Sequence, residues 1–187
     1  TEYTFTDNAI GTAGATRKVV VGVASGNNTS VSGMTIGGSA AAQVVETSGT
    51  GPEKNSIWQL AVAAGTTATI VVTFAASVGR CAVVVWAVYG AAANATDTGG
   101  SGADPLSDTL NIPAGGVAVG VADGDTISGF AWTNLTEDVD AELETSTQYT
   151  GASAAFAAEQ TLLAITADPI EAAPAFRVLS LASWGPA

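Results

Sequence analysis

The stretch TTATIVVTFAASVGRCAVVVWAVYG, residues 66–90, decides the fold. It reads as two long apolar strands joined by a short turn at residues 76–79. Residues 80–89 are apolar on both faces: Ala82, Val84, Trp86 and Val88 point one way, and Val83, Val85, Ala87 and Tyr89 the other. A strand with one wet face alternates apolar and polar residues. This one is therefore expected in the middle of a sheet, covered on both sides. The run is too short for a membrane helix, which needs about 20 residues, and its valines favour strand.

Working outward, the same short-strand pattern repeats. Residues 2–6 (EYTFT) alternate and read as a first strand at a sheet edge. Residues 17–24 (RKVVVGVA) form the next, with Val19, Val21 and Val23 on one face. Residues 31–36 and 40–46 are two strands joined by Gly37-Gly38-Ser39, a tight hairpin sequence. Residues 48–55 (SGTGPEKN) read as a polar surface loop, and 56–63 as a strand. Residues 91–104 (AAANATDTGGSGAD) lack bulky side chains and are expected to be a long flexible excursion. Further strands are expected at 106–112, 117–122, 127–132, 137–143, 148–152, 162–166 and 176–184. Residues 154–160 (AAFAAEQ) are short enough for a helical turn or two and no more. No strict internal repeat is apparent.

About a dozen short strands with turn signals every 8 to 12 residues predict an all-β chain: a jelly-roll-like β-sandwich in one domain, residues 1–187. No amphipathic helical segments link the strands, which disfavours a parallel α/β fold. The second apolar face of residues 80–89 needs a cover. With no helix on offer, a partner chain or the 91–104 loop is expected to supply it, which favours an assembled protein.

Composition narrows the function classes. Lysine plus arginine total 5 against 17 acids, a net charge of −12, so a nucleic-acid backbone is not an expected partner. Anionic membrane surfaces are disfavoured for the same reason, and no run of about 18 apolar residues offers a span. There is no histidine, which removes the commonest general base and metal ligand. The single cysteine, Cys81, lies in the apolar run and reads as an inert thiol. A Ser-His-Asp arrangement is impossible and no G-x-S-x-G elbow occurs. A paired-carboxylate glycosidase is formally open, but aromatic residues are only 6%, few for a sugar cleft. No enzyme activity, cofactor or metal is expected. Thr1 and the absence of a basic-then-apolar leader are expected of a cytoplasmically made chain that has lost its initiator methionine, with a trimmed propeptide as the alternative.

The densest acidic stretch is EDVDAELE at 137–144. On an extended strand Asp138, Asp140, Glu142 and Glu144 share one face, about 6.5–7 Å apart. Carboxylates in a row do not converge on calcium, which wants six to eight oxygens. They read as a solvated face that discourages edge pairing or as a docking strip for a basic partner. Asp123-Gly124-Asp125 reads as turn chemistry. The four tryptophans sit in or beside apolar strands and read as core. Trp132, next to the loop at 133–136, is the one expected to be partly exposed.

Several segments together resemble a family of small all-β proteins encoded among the virion genes of tailed bacteriophages. They are ATRKVVVGV at 15–23, MTIGGSAA at 34–41, SIW at 56–58, VVTF at 71–74, PAGGVA at 113–118, TNLTE at 133–137 and YTGAS at 149–153. The resemblance implies a structural component of the particle, first an outer capsid decoration or cement protein that stabilises the assembled shell. Its partners would be the major capsid protein and neighbouring copies of itself, on the outer surface of the virion. A tail- or fibre-associated module that binds a receptor or glycan is the alternative. Candidate partner contacts are Glu2, Tyr3 and Phe5 on the first strand, Trp132, and Asp138, Asp140 and Glu142 on the acidic one.

Overall fold

The computed structural model describes residues 1–125, 128–170 and 175–187. Every regular element among them is a strand. In chain order these are β1 (Glu2–Ala9), β2 (Arg17–Gly26), β3 (Val31–Ile36), β4 (Ser39–Ala40), β5 (Ala42–Ser48), β6 (Glu53–Ala61), β7 (Thr67–Phe74) and β8 (Arg80–Tyr89). They continue with β9 (Asp97–Ser101), β10 (Ser107–Ile112), β11 (Gly116–Gly124), β12 (Phe130–Thr133), β13 (Thr136–Glu144), β14 (Thr147–Phe156), β15 (Gln160–Pro169) and β16 (Arg177–Trp184).

The strands form four antiparallel sheets with orders β1-β7-β3-β4, β5-β6-β2-β8, β13-β14-β11-β16-β9 and β10-β15-β12. Three apolar clusters lie between them. The first joins Val19, Val21 and Val23 of β2 to Met34, Ile36, Ile70 and Phe74 of the facing sheet. The third-listed sheet and the β10-β15-β12 sheet enclose another, around Leu110, Ile112, Ile165, Leu179 and Leu181. Between these two sandwiches runs a seam of Val20, Ile57, Val84 and Trp86 against Val119, Val121, Ala182 and Trp184. The four sheets therefore stack as layers, roughly 30 Å from outer sheet to outer sheet at the usual spacing of about 10 Å.

The two sandwiches repeat one topology. β10, β15 and β12 take the places of β1, β7 and β3; β13, β14, β11 and β16 take those of β5, β6, β2 and β8. The second copy carries one extra strand, β9, on the outer edge of β16. With it, β9-β16-β11-β14 faces β10-β15-β12, the strand order of a jelly roll. The repeat escapes a residue-by-residue reading because the two copies fill equivalent positions differently. Partner strands align Gly22 with Val121 and Val21 with Gly120.

Residues 66–90 depart from their reading. β7 and β8 are not a hairpin: β7 pairs with β1 and β3, and β8 with β2 in the facing sheet. The connection crosses the end of the sandwich, with Val78 buried in the core and its carbonyl accepting from Tyr3 Oη at 2.7 Å. Nor is β8 central. It is an edge strand, and β2, buried at all ten positions, holds the middle. Two-sided apolarity in β8 reflects its layer, not its place in the sheet. The cover over its second face is the chain's own second sandwich rather than a partner or a loop.

Other expectations meet mixed outcomes. Gly37 and Gly38, at φ 58° and 80°, make the two-residue turn that pairs Ile36 with Ser39. The strand that follows is broken at Ala41 and passes from β3's sheet to β6's. The 91–104 segment is not a free excursion, since β9 pairs with β16. Residues 154–156 and 160 are strand, with no helical turn between. The strand expected at 127–132 starts at Phe130; Ile127 lies outside the described residues.

Trp184 is fully buried in the seam, with Nε1 donating to Gln59 Oε1 at 2.9 Å. Trp184→Ala is expected to cost about 3–5 kcal/mol in urea unfolding. Leu162→Ser, at a position 63% exposed, should stay within about 0.5 kcal/mol. Equal effects would mean the seam is not a structural core.

Candidate functional site

Charged side chains stand along the acidic strand β13 and at the two ends of the seam, as well as on β1, β5, β9 and β10. On β13, register shifts between Glu137 and Val139 and between Glu142 and Glu144 break the expected single-faced row. Asp138 turns toward β8, where its Oδ2 accepts from Trp86 Nε1 at 2.8 Å. Asp140 lies the other way and accepts from the Phe130 amide, with partial burial raising its pKa. Glu137 reaches Thr150 Oγ1 at 3.5 Å; burial first, then the Asp140 charge, raise its pKa. Thr150 Oγ1 also accepts from Trp132 Nε1 at 2.9 Å. Glu142 is exposed, and Glu144 pairs with Arg80. The structure thus brings Trp132, Glu137 and Thr150 together and separates Asp138 from Asp140.

Glu2, Tyr3 and Phe5 sit on β1, the edge of its sheet as expected. Glu2 is exposed. Tyr3 and Phe5 pack on the first core, and the Tyr3 ring meets Phe74 edge-on at 5.9 Å. Their aromatic surface covers this chain's own interior. Trp132 is half-buried on the second core, while Trp58, Trp86 and Trp184 are buried.

Sequence reading missed the seam ends. At one end β2 begins with Arg17, 1% exposed, whose side chain lies on the first-core face and donates to four carbonyls, those of Val62, Gly11, Gly65 and Ala64. Beside it Lys18 Nζ donates to the carbonyls of Ala92 and Ala93, in the segment joining the two sandwiches, and sits 5.4 Å from the centre of the Trp184 ring. Desolvation lowers the Lys18 pKa to about 8. Both cations border a cleft of about 540 Å³ lined mainly by alanines. Here they act as pegs that tie loops to β2.

At the other end lie Glu53 and Asn55 of β6, Arg80 of β8 and Asp123 of β11. Asn55 Nδ2 donates to the carbonyls of Val121 and Val178, each at 3.3 Å, stitching one sandwich to the other. Glu53 is 3.7 Å from Arg80. Asp123 is completely buried, and neither carboxylate oxygen has a hydrogen-bond partner among the described residues. Desolvation, then the nearby Glu53 charge, raise its pKa well above the ordinary value, and Arg80 only partly opposes them. Glu53 is raised too, by desolvation above all. The loop reading of residues 48–55 hid Glu53 and Asn55. A signal for Asp123 was present: it shares its face with Val119 and Val121, so it had to enter the seam.

Among the described residues no group of three or more histidine, cysteine or acidic side chains is placed to hold a metal ion. Cys81 is shielded, and burial pushes its thiol up to about 12, where little thiolate forms. No family model matches the chain, and no curated protein or solved structure is significantly similar to it.

Asp123 gives a signed pH dependence. Its folded pKa lies above the unfolded value, so between the two the folded state holds the extra proton. Stability from this group is full below about pH 4 and falls as pH rises toward the folded pKa. Asp123→Asn removes the titration. Its melting temperature relative to the parent should therefore climb from pH 4 to pH 8, at about 2–4 °C per kcal/mol for a chain of this size. A flat difference would contradict the assignment.

Proposed function

We propose that this chain is a structural virion protein of a tailed bacteriophage, a decoration protein that binds the assembled capsid and stabilises it. The observation that carries the reading is the architecture: two β-sandwiches of one topology, one of them with jelly-roll strand order, stacked through an apolar seam into a four-layer slab. Such a body suits a load-bearing role because every strand is braced by another layer or a neighbour. The residue resemblance at 15–23, 34–41 and 133–137 points the same way.

Apolar side chains supply little of the contact surface. Among the described residues the large exposed ones are Tyr89, Leu162, Ile170 and Phe176. Docking would rest instead on strand edges and on acidic side chains such as Glu2, Asp138 and Glu142, meeting basic shell residues. A net charge of −12 also keeps free copies apart in solution before they find the shell.

The test is copy number. Quantitative mass spectrometry of purified particles should find the chain at hundreds of copies each. A handful would move it to the tail, and its absence from particles would reject a virion role. Deleting residues 1–6 is a poor probe of β1, because it strips Tyr3 and Phe5 from the core. Glu2→Lys leaves the core intact and should lower occupancy of shells if that edge contacts basic residues.

A further inference from the structure

The duplication locates an interaction site. In the second sandwich β9 covers the outer edge of β16, pairing with residues 179–183. β9 lies there between two walls. β10 is one: Asp108 Oδ2 accepts from the Gly100 amide at 2.7 Å, and Asp97 Oδ2 accepts from the Asn111 amide at 2.8 Å. β5 of the first sandwich is the other, with Thr47 set against Gly100.

The same arrangement exists around β8, without the strand. Matching β8 to β16 by partner strand and by core side sets Val83 and Val85 on Leu179 and Leu181, and Trp86 and Val88 on Ala182 and Trp184. Residues 83–87 thus correspond to the five that β9 covers. Those five line a groove of about 460 Å³. Its walls are Asn8 and Ala9 of β1 and Asp138 and Val139 of β13. β1 is the counterpart of β10, and β13 that of β5. Among the described residues β8 pairs only with β2, so its outer amides and carbonyls meet no strand.

We propose that this groove is a strand-accepting site: an extended segment of another protein adds antiparallel to β8 at residues 83–87. Main-chain hydrogen bonds supply the affinity in this mode, and the walls select the side chains. β9 itself, Asp97-Thr98-Gly99-Gly100-Ser101, shows that the slot takes small residues at its centre. The surroundings select charge. Asp138 lines the groove itself, Glu142 is exposed further along β13, and Asp7 is exposed beside Asn8. The guest is therefore a small-residue strand flanked by lysine or arginine. A free edge this long and apolar invites pairing unless it is blocked, and the two walls narrow the approach to a single strand rather than a whole sheet. The inference stands on the duplicated topology and holds whether or not the chain belongs to a virion.

The probe is a synthetic peptide repeating residues 96–102 between pairs of lysines, followed by amide hydrogen exchange on the full chain. Backbone amides at 83–87 should exchange at least roughly tenfold more slowly with peptide, and the effect should weaken in high salt. A second variant carries residues 97–105 joined ahead of Thr1, as β9 and its loop precede β10. It should melt higher and lose the peptide effect, because its own strand fills the groove. No slowing at 83–87, or undiminished peptide binding by the extended variant, overturns the proposal. So does concentration-dependent protection of β8 without peptide accompanied by a dimer in sedimentation, which would assign the edge to a second copy.

Discussion

Everything in this molecule depends on the contact between the two inner sheets. β2 is buried on both faces because one face meets Met34, Ile70 and Phe74 and the other meets Val119 and Val121 across the seam. The approach is close enough that a methyl group on Gly22 would lie 3.1 Å from both Trp86 and Val121. A side chain there would require Trp86 or Val121 to give by a few tenths of an ångström, so the glycine matches the close spacing of the layers. Each large side chain buried in the seam contributes about 1.5–3 kcal/mol. The valines and tryptophans there fuse two small sandwiches, each of which would otherwise expose an apolar sheet face.

An apolar seam holds two sheets together but says little about their offset. Polar groups at its ends supply that. Asn55 donates to two carbonyls on the opposite sheet, and Ser180 Oγ reaches back to Thr47 Oγ1 at 2.9 Å. Lys18, at the other end, holds the joining segment over Trp184. Sliding one sheet over the other by a residue would leave these buried polar groups without their partners. Asp123 and Glu53 are the cost of this arrangement. They sit in the same dry space with less complete hydrogen bonding, and their raised pKa values report it.

How much of this the sequence discloses depends on how local the cause is. The all-strand architecture and the Gly37-Gly38 turn follow from alternation and from φ requirements that lie within a few residues. The position of β8 does not. An apolar-both-faces strand means burial on both faces, and that arises equally at the centre of one sheet or at the edge of a sheet sandwiched between others. Only the distant half of the chain decides which. β9 fails for the same reason: Asp97-Thr98-Gly99-Gly100-Ser101 has no strand propensity to speak of, and it is strand because β16 offers an edge and β10 and β5 a slot. Its glycines, unfavourable in isolation, are what the slot requires. Acidic alternation on β13 predicts one face, and two register shifts divide it, because Trp86 and the Phe130 amide each claim a carboxylate.

The duplication also explains why the two halves look unrelated. A residue in one inner sheet answers to three neighbours: its own core, the seam, and the layer opposite, which is not its own twin. Val21 in the first sandwich and Gly120 in the second hold equivalent places. Val21 fills the core beside Met34 and Phe74, whereas Gly120 makes room for the Trp132 and Leu181 side chains. Equivalent positions in the two halves meet different neighbours, so they carry different residues although the strand order is the same. The edges differ too. One sandwich has a strand, β9, along this edge, and the other has only the walls for one. That asymmetry persists in a chain otherwise symmetric in plan, which is why the edge of β8 reads as a place of contact rather than as an unfinished fold.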